Sequence, residues 1–297
     1  MRPTLLDFPL PGGLHFPVGA YGAFLVVGML AAAWVSGGHG RRLGLRRVDA
    51  FDLGLWLLAA GVVGAHLLYL AADSRSYFSS GAAGGGWTAA LERGGMAYYG
   101  GLAAAFPVLW LWGRRRRIPY PDLLDFVAPL GALGLAVTRV GCFLNGCCYG
   151  EPADLPWAVT FPPGSQPQQA QAALGLVAPG APALPVHPVQ LYEFAAALGM
   201  FGLLWWRFPR RRFAGEVVAA FGLLYGIWRF AVEFLRADSD GWRPGVHALT
   251  FNQGLSLVVI ALAGFGWWAA RRAARPPWSK GPPAADGPAE PDSAPAV

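Results

Sequence analysis

FPVGAYGAFLVVGMLAAAWVSGGHGRRLGLRR, residues 16–47, decides the fold. Residues 16–36 carry no charged side chain, and Arg41, Arg42, Arg46 and Arg47 follow closely. An apolar run of about 17–25 residues is the length a helix needs to cross a hydrocarbon core. A basic cluster beside such a run marks the cytoplasmic side. The first ten residues lack the basic start and apolar core of a cleavable leader, so the run is read as a retained helix.

The same unit recurs along the chain. Further apolar runs span residues 51–71, 96–112, 123–144, 189–206, 213–234 and 249–268, which makes seven in all. Arg114, Arg115, Arg116 and Arg117 follow the third run. Arg207, Arg210, Arg211 and Arg212 follow the fifth, and Arg271, Arg272 and Arg275 the seventh. The arginine clusters alternate with arginine-poor loops. The expected fold class is therefore all-α: a polytopic membrane protein of seven helices, N-terminus outside and C-terminus inside.

Composition agrees. Hydrophobic residues make up 55% of the 297 and charged residues 13%, against about 25% charged in ordinary soluble domains. So little charge cannot cover a water-soluble globule of this size. The formal net charge is +6, and Lys280 is the sole lysine. Because the arginines fall between apolar runs, they report topology, and no nucleic-acid partner is expected. One membrane domain is expected over residues 1–275, with a disordered Pro- and Ala-rich cytoplasmic tail over 276–297. Outward loops are expected at 73–95, 145–188 and 237–248. The sequence leaves open whether one of them folds into a cap. No internal repeat of a transporter type is evident.

Ionisable residues at membrane depth are costly and default to functional candidates. Arg139 sits near the outer end of the fourth run. Tyr225, Arg229, Glu233 and Arg236 follow one another at spacings of four, four and three, which places them on one helical face. His187, Gln190, Tyr192 and Glu193 stand at the outer start of the fifth run, and Tyr99 opens the third. The polar groups thus gather in the outer half of the bilayer. Arginines there want an anion, and a phospholipid phosphate is the nearest abundant one. Structural readings stand beside the functional ones. Arg229 and Glu233 form an i,i+4 pair that would serve as helix glue, and Arg236 is placed to snorkel. His66 reads as a packed histidine, and Tyr21, Tyr98, Tyr99, Tyr192 and Tyr225 fit aromatic belts.

RVGCFLNGCCYGEP, residues 139–152, is the most unusual segment. Gly141, Gly146 and Gly150 permit tight turns and close approach of a ligand. Cys142, Cys147 and Cys148 are the only cysteines. They have three readings: a disulfide or other structural role, a metal site with His187, or a nucleophilic thiol. The structural or disulfide role is favoured, because the spacing matches no common zinc pattern.

These motifs carry a resemblance to the prolipoprotein diacylglyceryl transferases. RVGCFLNGCCYG resembles that family's R-I-G-N-F-x-N-G-E-x-x-G. It keeps Arg139, Gly141, Phe143, Asn145, Gly146 and Gly150. HPVQLYE at 187–193 and RFAVEFLR at 229–236 look like two further family motifs, and DFVAP from Asp125 and the pair Asn252 and Gln253 also fit. The resemblance extends from the first helix to the seventh. It implies transfer of a diacylglyceryl group from phosphatidylglycerol to the lipobox cysteine of a prolipoprotein, releasing glycerol-1-phosphate, without cofactor or metal, at the bacterial inner membrane. It implies that Arg139 and Arg229 hold the lipid phosphate and that Glu233 orients Arg229. Tyr225, Asn145, Gly150, Gln190, Glu193, His187, Tyr192, Arg236 and Tyr21 would shape the substrate site. So would Tyr99, Gly100 and Gly101 at the start of the third helix. Three positions depart from the pattern. Tyr99 stands where the family has a histidine before two glycines, Cys142 replaces an asparagine and Cys147 an acidic residue. These changes keep two alternatives open: a paralogous lipid-dependent transferase with another acceptor, or a lipid- or anion-binding membrane protein without chemistry.

Overall fold

The structure is a computed structural model and describes residues 4–9, 15–72, 98–238 and 249–278. The expected loop at 73–95, most of the loop at 237–248 and the tail beyond 278 lie outside the described residues. A two-stranded antiparallel hairpin, β1 (Thr4–Pro9) with β2 (His15–Gly19), precedes the first helix. The helices are α1 (Ala20–Gly40), α2 (Arg47–Ala72), α3 (Tyr98–Arg115), α4 (Tyr120–Asn145) and α5 (Gln166–Ala173). They continue as α6 (Val189–Arg207), α7 (Glu216–Val232) and α8 (Phe251–Ala273).

Helices occupy all seven expected positions, and the hairpin and α5 are additions the hydropathy reading did not anticipate. Five segments are long and apolar enough to cross a membrane: Ala20–Leu43, Arg47–Leu68, Tyr120–Asn145, Glu216–Leu235 and Phe251–Ala273. In α3 and α6 the ends dilute the hydropathy, through Tyr98, Tyr99, Arg114 and Arg115 in one and Gln190, Glu193 and Arg207 in the other. Large apolar side chains point outward along the helices. Trp34, Leu262 and Phe265 are about two-thirds exposed, which suits a surface solvated by lipid rather than water.

The chain forms two compact units, Met1–Val35 with Leu124–Pro277, and Ser36–Leu123 with Trp278–Val297. In the second unit α2 packs closely on α3 through small residues. A Cβ on Gly101 would lie 2.8 Å from the Gly61 carbonyl oxygen, and one on Gly100 would collide with the Gly64 carbonyl. Gly100 and Gly101, expected above to shape the substrate site, have a packing function here. At the arginine-rich end of this pair, Arg116 Nη1 meets Asp49 Oδ1 at 2.7 Å and Trp112 Nε1 donates to Asp52 Oδ2 at 2.9 Å.

In the first unit α1 crosses α4 where Gly141 leaves no room for a side chain: a Cβ there would lie 2.8 Å from Phe24 Cβ and 3.1 Å from the Ala20 carbonyl oxygen. Asp125, fully buried in α4, ties this helix to α7. Its carboxylate accepts hydrogen bonds from the backbone N–H groups of Gly215, Val217 and Val218 at 2.8–2.9 Å. These donors open α7 and have no partner within the helix, so a carboxylate there satisfies them and the helix dipole together. Arg211 Nε lies 3.3 Å from the same carboxylate and balances its charge. The segment after α4 is not an open loop. Tyr149, Phe161, Ala183 and Val186 pack with Ala237 into a small core, and Phe143, Val159 and Ala170 close its sides.

Candidate functional site

α4 ends with its last turn carrying Cys142 and Asn145, and the chain then turns back on itself. Gly146 adopts φ +76° and Cys148 φ +61°, and the N–H groups of Gly146 and Cys147 both donate to the Cys142 carbonyl. From this turn the chain runs extended past two other segments. Gly150 bridges to Arg236, and Glu151 N–H donates to the Leu235 carbonyl at 2.9 Å. On its other side Gly150 N–H donates to the His187 carbonyl at 3.1 Å. A side chain at Gly150 would strike His187 and Val189, so glycine is required for this close three-way approach. The result brings the end of α4, the start of α6 and the end of α7 to one place.

There the charged side chains interlock. Arg139 Nε lies 2.9 Å from Glu193 Oε2, an ion pair whose N–H is not aimed along a hydrogen bond. Arg236 Nη1 approaches the other Glu193 oxygen at 3.6 Å, and its Nε lies 3.7 Å from Glu233 Oε2. Arg229 pairs with the same Glu233 oxygen. Glu233 Oε1 accepts from Thr250 Oγ1 at 2.8 Å and Asn252 Nδ2 at 2.9 Å. Arg236 Nη2 donates to Asp238 Oδ2 at 2.7 Å. Burial alone would lower the Arg236 guanidinium, but Asp238 and Glu193 outweigh it and hold the group above its ordinary range. Three arginines thus face three carboxylates. Glu193, Glu233 and Arg236 are almost fully buried.

A narrow crevice opens beside this network, lined by Leu135, Arg139, Glu193, Ala197, Met200, Tyr225 and Trp228. Leu135, Ala197 and Met200 give it an apolar wall, and Arg139, Glu193, Tyr225 and Trp228 bring polar groups to it. Trp228 Nε1 is buried without a hydrogen-bond partner among the described residues. Tyr225 stacks on Phe221 with ring centroids 5.8 Å apart.

The HPVQLYE stretch builds one rim. Gln190 is fully buried and donates from Nε2 to the Cys147 carbonyl at 2.8 Å. Tyr192 Oη accepts from Trp157 Nε1 at 2.7 Å and lies 3.3 Å from His187 Nδ1. Tyr21 contributes backbone, its Cα standing where a Cβ on Gly141 would come within 3.2 Å. Asn145 closes α4, and Tyr149 beyond it is a buried phenol, pushed up by burial and by the nearby Asp238 charge.

The structure therefore brings together Arg139, Glu193, Arg236, Glu233 and Arg229 in one network, with Tyr225, Gln190, His187 and Tyr192 around it. Tyr99, Gly100 and Gly101 open α3 in the other unit, and the Tyr99 side chain lies outside the described residues. The three thiols are free, so the favoured disulfide is not formed. Sequence reasoning missed Thr250, Asp238, Trp157 and Trp228. Thr250 had a legible signal, the T-x-x-Q pattern to Gln253 that forms a capping box at the start of α8.

Residues 12–269 match the family model described as prolipoprotein diacylglyceryl transferase. The protein named phosphatidylglycerol–prolipoprotein diacylglyceryl transferase in Azotobacter vinelandii is 35% identical over 264 residues, covering 86% of this chain and 91% of that one. The protein of the same name in Pseudomonas fluorescens SBW25 is 36% identical over 271 residues, covering 85% and 89%. That in Bordetella parapertussis is 34% identical over 266 residues, covering 89% and 91%. With a family model matched from the hairpin to α8 and relatives aligned over nearly their whole length, this chain belongs to the prolipoprotein diacylglyceryl transferase family.

Proposed function

We propose that this chain transfers the diacylglyceryl group of phosphatidylglycerol to the lipobox cysteine thiol of prolipoproteins, releasing glycerol-1-phosphate. The observation that carries the reading is the Arg139–Glu193–Arg236–Glu233–Arg229 network beside a narrow crevice with one apolar wall. A lipid with a phosphate head and acyl tails needs that combination.

In this reading the chain crosses the bacterial inner membrane seven times, with the N-terminus outside and the site at the outer leaflet. α3 and α6 are the spans whose hydropathy is diluted at their ends. The lipid enters sideways. Arg139 and Arg229 take its phosphate, and Glu193 and Glu233 hold the two guanidiniums in orientation. The acceptor thiol gives up its proton to solvent, and the thiolate attacks the glycerol carbon bonded to the phosphate oxygen. A C–S bond forms, the C–O bond breaks, and glycerol-1-phosphate leaves with the electron pair. The arginines stabilise the charge that develops on the leaving phosphate. Tyr225, Gln190, Tyr192, His187, Asn145, Gly150 and Tyr21 shape the cavity around lipid and acceptor.

Tyr99 favours a second reading, a paralogous transferase with another acceptor. A phenol, with an ordinary pKa of about 10, is a poor base at neutral pH. Complementation separates the two. The chain is expressed in a bacterium depleted of its own diacylglyceryl transferase, beside Arg139→Ala, Arg229→Ala and Tyr99→His variants, and a model prolipoprotein is followed by its mass shift. Restoration by the wild type and not by the arginine variants supports the first reading. Restoration by Tyr99→His alone supports the second. Failure of every form, at good expression, overturns the prolipoprotein assignment.

A further inference from the structure

The departures from the family pattern at Cys142 and Cys147 meet a third cysteine in space. The Sγ atoms of Cys142, Cys147 and Cys148 all lie within 4.8 Å of one another. The turn after α4 is what gathers them. Gly146 in the left-handed region reverses the chain, and Cys148 itself takes φ +61°. A residue with a Cβ pays for that conformation, and strain of this kind clusters where side chains must be aimed. Cys142 is buried and the other two are half-buried. The sequence spacing C-x4-C-C matches no common zinc pattern, but the fold closes it into a tripod.

We propose that Cys142, Cys147 and Cys148 form a binding site for a thiophilic d10 cation, Zn2+ or Cu+. Zinc–thiolate bonds of about 2.3 Å put sulfurs about 3.8 Å apart in a tetrahedron, so the trio needs to contract by about an ångström at most. Soft thiolates select these ions over Mg2+ or Ca2+. Three thiolates around a dication carry one excess negative charge. Arg139 Nη1, 3.9 Å from Cys142 Sγ, offsets it, and Arg236 bridges to Gly150, two residues past Cys148. Gln190, bonded to the Cys147 carbonyl, fixes the turn from behind, the kind of support that orients metal ligands.

Three protein ligands leave the fourth corner of a zinc tetrahedron open. On the transferase reading, on which this step alone rests, the acceptor thiol occupies it. The sulfur–metal bond forms as the thiol proton leaves to solvent, which supplies a thiolate at neutral pH. That provides for a chain whose Tyr99 stands in place of a histidine.

The test uses the full-length reduced chain in detergent micelles, stripped of metal by chelation. Co2+ is added first as a chromophoric stand-in, then Zn2+, and Cu+ separately against a colorimetric chelator. Expected are one ion per chain, a near-ultraviolet sulfur-to-cobalt band, and displacement by whichever native ion binds. Each of Cys142→Ser, Cys147→Ser and Cys148→Ser should weaken binding more than about tenfold, with metal-free thermal unfolding of each variant still cooperative, and Cys147→Ser and Cys148→Ser, at half-buried positions, shifting its midpoint little. Absent stoichiometric binding, binding unchanged in the triple serine variant, or a single titratable thiol in the isolated chain overturns the site. Transfer to a prolipoprotein peptide is read in the same preparations. Full transfer by the stripped chain overturns the role given to the fourth position and leaves the transferase reading standing. Metal binding without transfer in any form overturns the transferase reading and leaves the site standing.

Discussion

Glu193 divides its carboxylate between two arginines, Arg139 at 2.9 Å and Arg236 at 3.6 Å, each supplied by a different helix end. It is a joint as well as a counter-ion, and the charged network hangs on it. Removing one partner of a buried ion network leaves an uncompensated charge, at a cost of about 3–5 kcal/mol. Glu193→Ala is therefore expected to lower stability in detergent by that order and to abolish transfer. Glu193→Gln keeps the shape and should lose less stability. Denaturant or thermal unfolding with a parallel transfer assay checks both.

Arg139→Lys and Arg229→Lys keep the charge and lose the planar fork. A lysine offers a point charge on a flexible stem and cannot hold carboxylate and phosphate from two edges. Each variant is expected to fold and to lower kcat by about a hundredfold, the scale for losing one donor to a developing anion. Steady-state transfer kinetics in mixed micelles measure it. Unchanged kcat would place the lipid phosphate elsewhere.

Asp125 offers a contrast within the same unit. Its carboxylate accepts three backbone hydrogen bonds at the start of α7 and takes no part in the crevice. Asp125→Ala orphans those donors and removes the ion pair with Arg211, and a loss on the order of 3 kcal/mol is expected. Specific activity of the folded fraction should fall little. A loss of activity at full stability would show that α7 is displaced along its axis.

Gly101→Val tests the second unit. Its Cβ would press on the Gly61 carbonyl at 2.8 Å, and overpacking of this kind costs about 1–3 kcal/mol. A lower unfolding midpoint is expected. Gly131→Ala, where a Cβ meets nothing within 4 Å, serves as the neutral control.

Much of the architecture was legible because its cause is local. Apolar runs of membrane length and the arginine clusters after them need no tertiary information, and helices lie at each expected place. The Arg229–Glu233 pair followed from helical periodicity and forms, but α7 ends at Val232 and Arg236 lies beyond a 3-10 turn in extended backbone, off the expected helical face. What stayed hidden depends on long-range closure. That Glu193 joins Arg139 to Arg236 follows only once residues 146–150 have brought three segments together. Asp238 follows the end of α7 without a pattern of its own. The packing of Gly100 on Gly64 needs two helices in register, and the gathering of three thiols needs two left-handed residues in one turn. The compact core around Phe161 was obscured by a composition rich in Pro, Gln and Ala that reads as open loop.

The equal number of arginines and carboxylates in the network has a consequence for turnover. An arginine site without internal counter-ions would hold an anionic product as firmly as an anionic substrate. Here Glu193 and Glu233 never diffuse away, and each guanidinium that lets go of a departing phosphate has a tethered carboxylate ready to re-pair with it. On the proposed reaction, product release is thus an intramolecular exchange of one anion for another, and the cycle resets without recruiting an ion from solution.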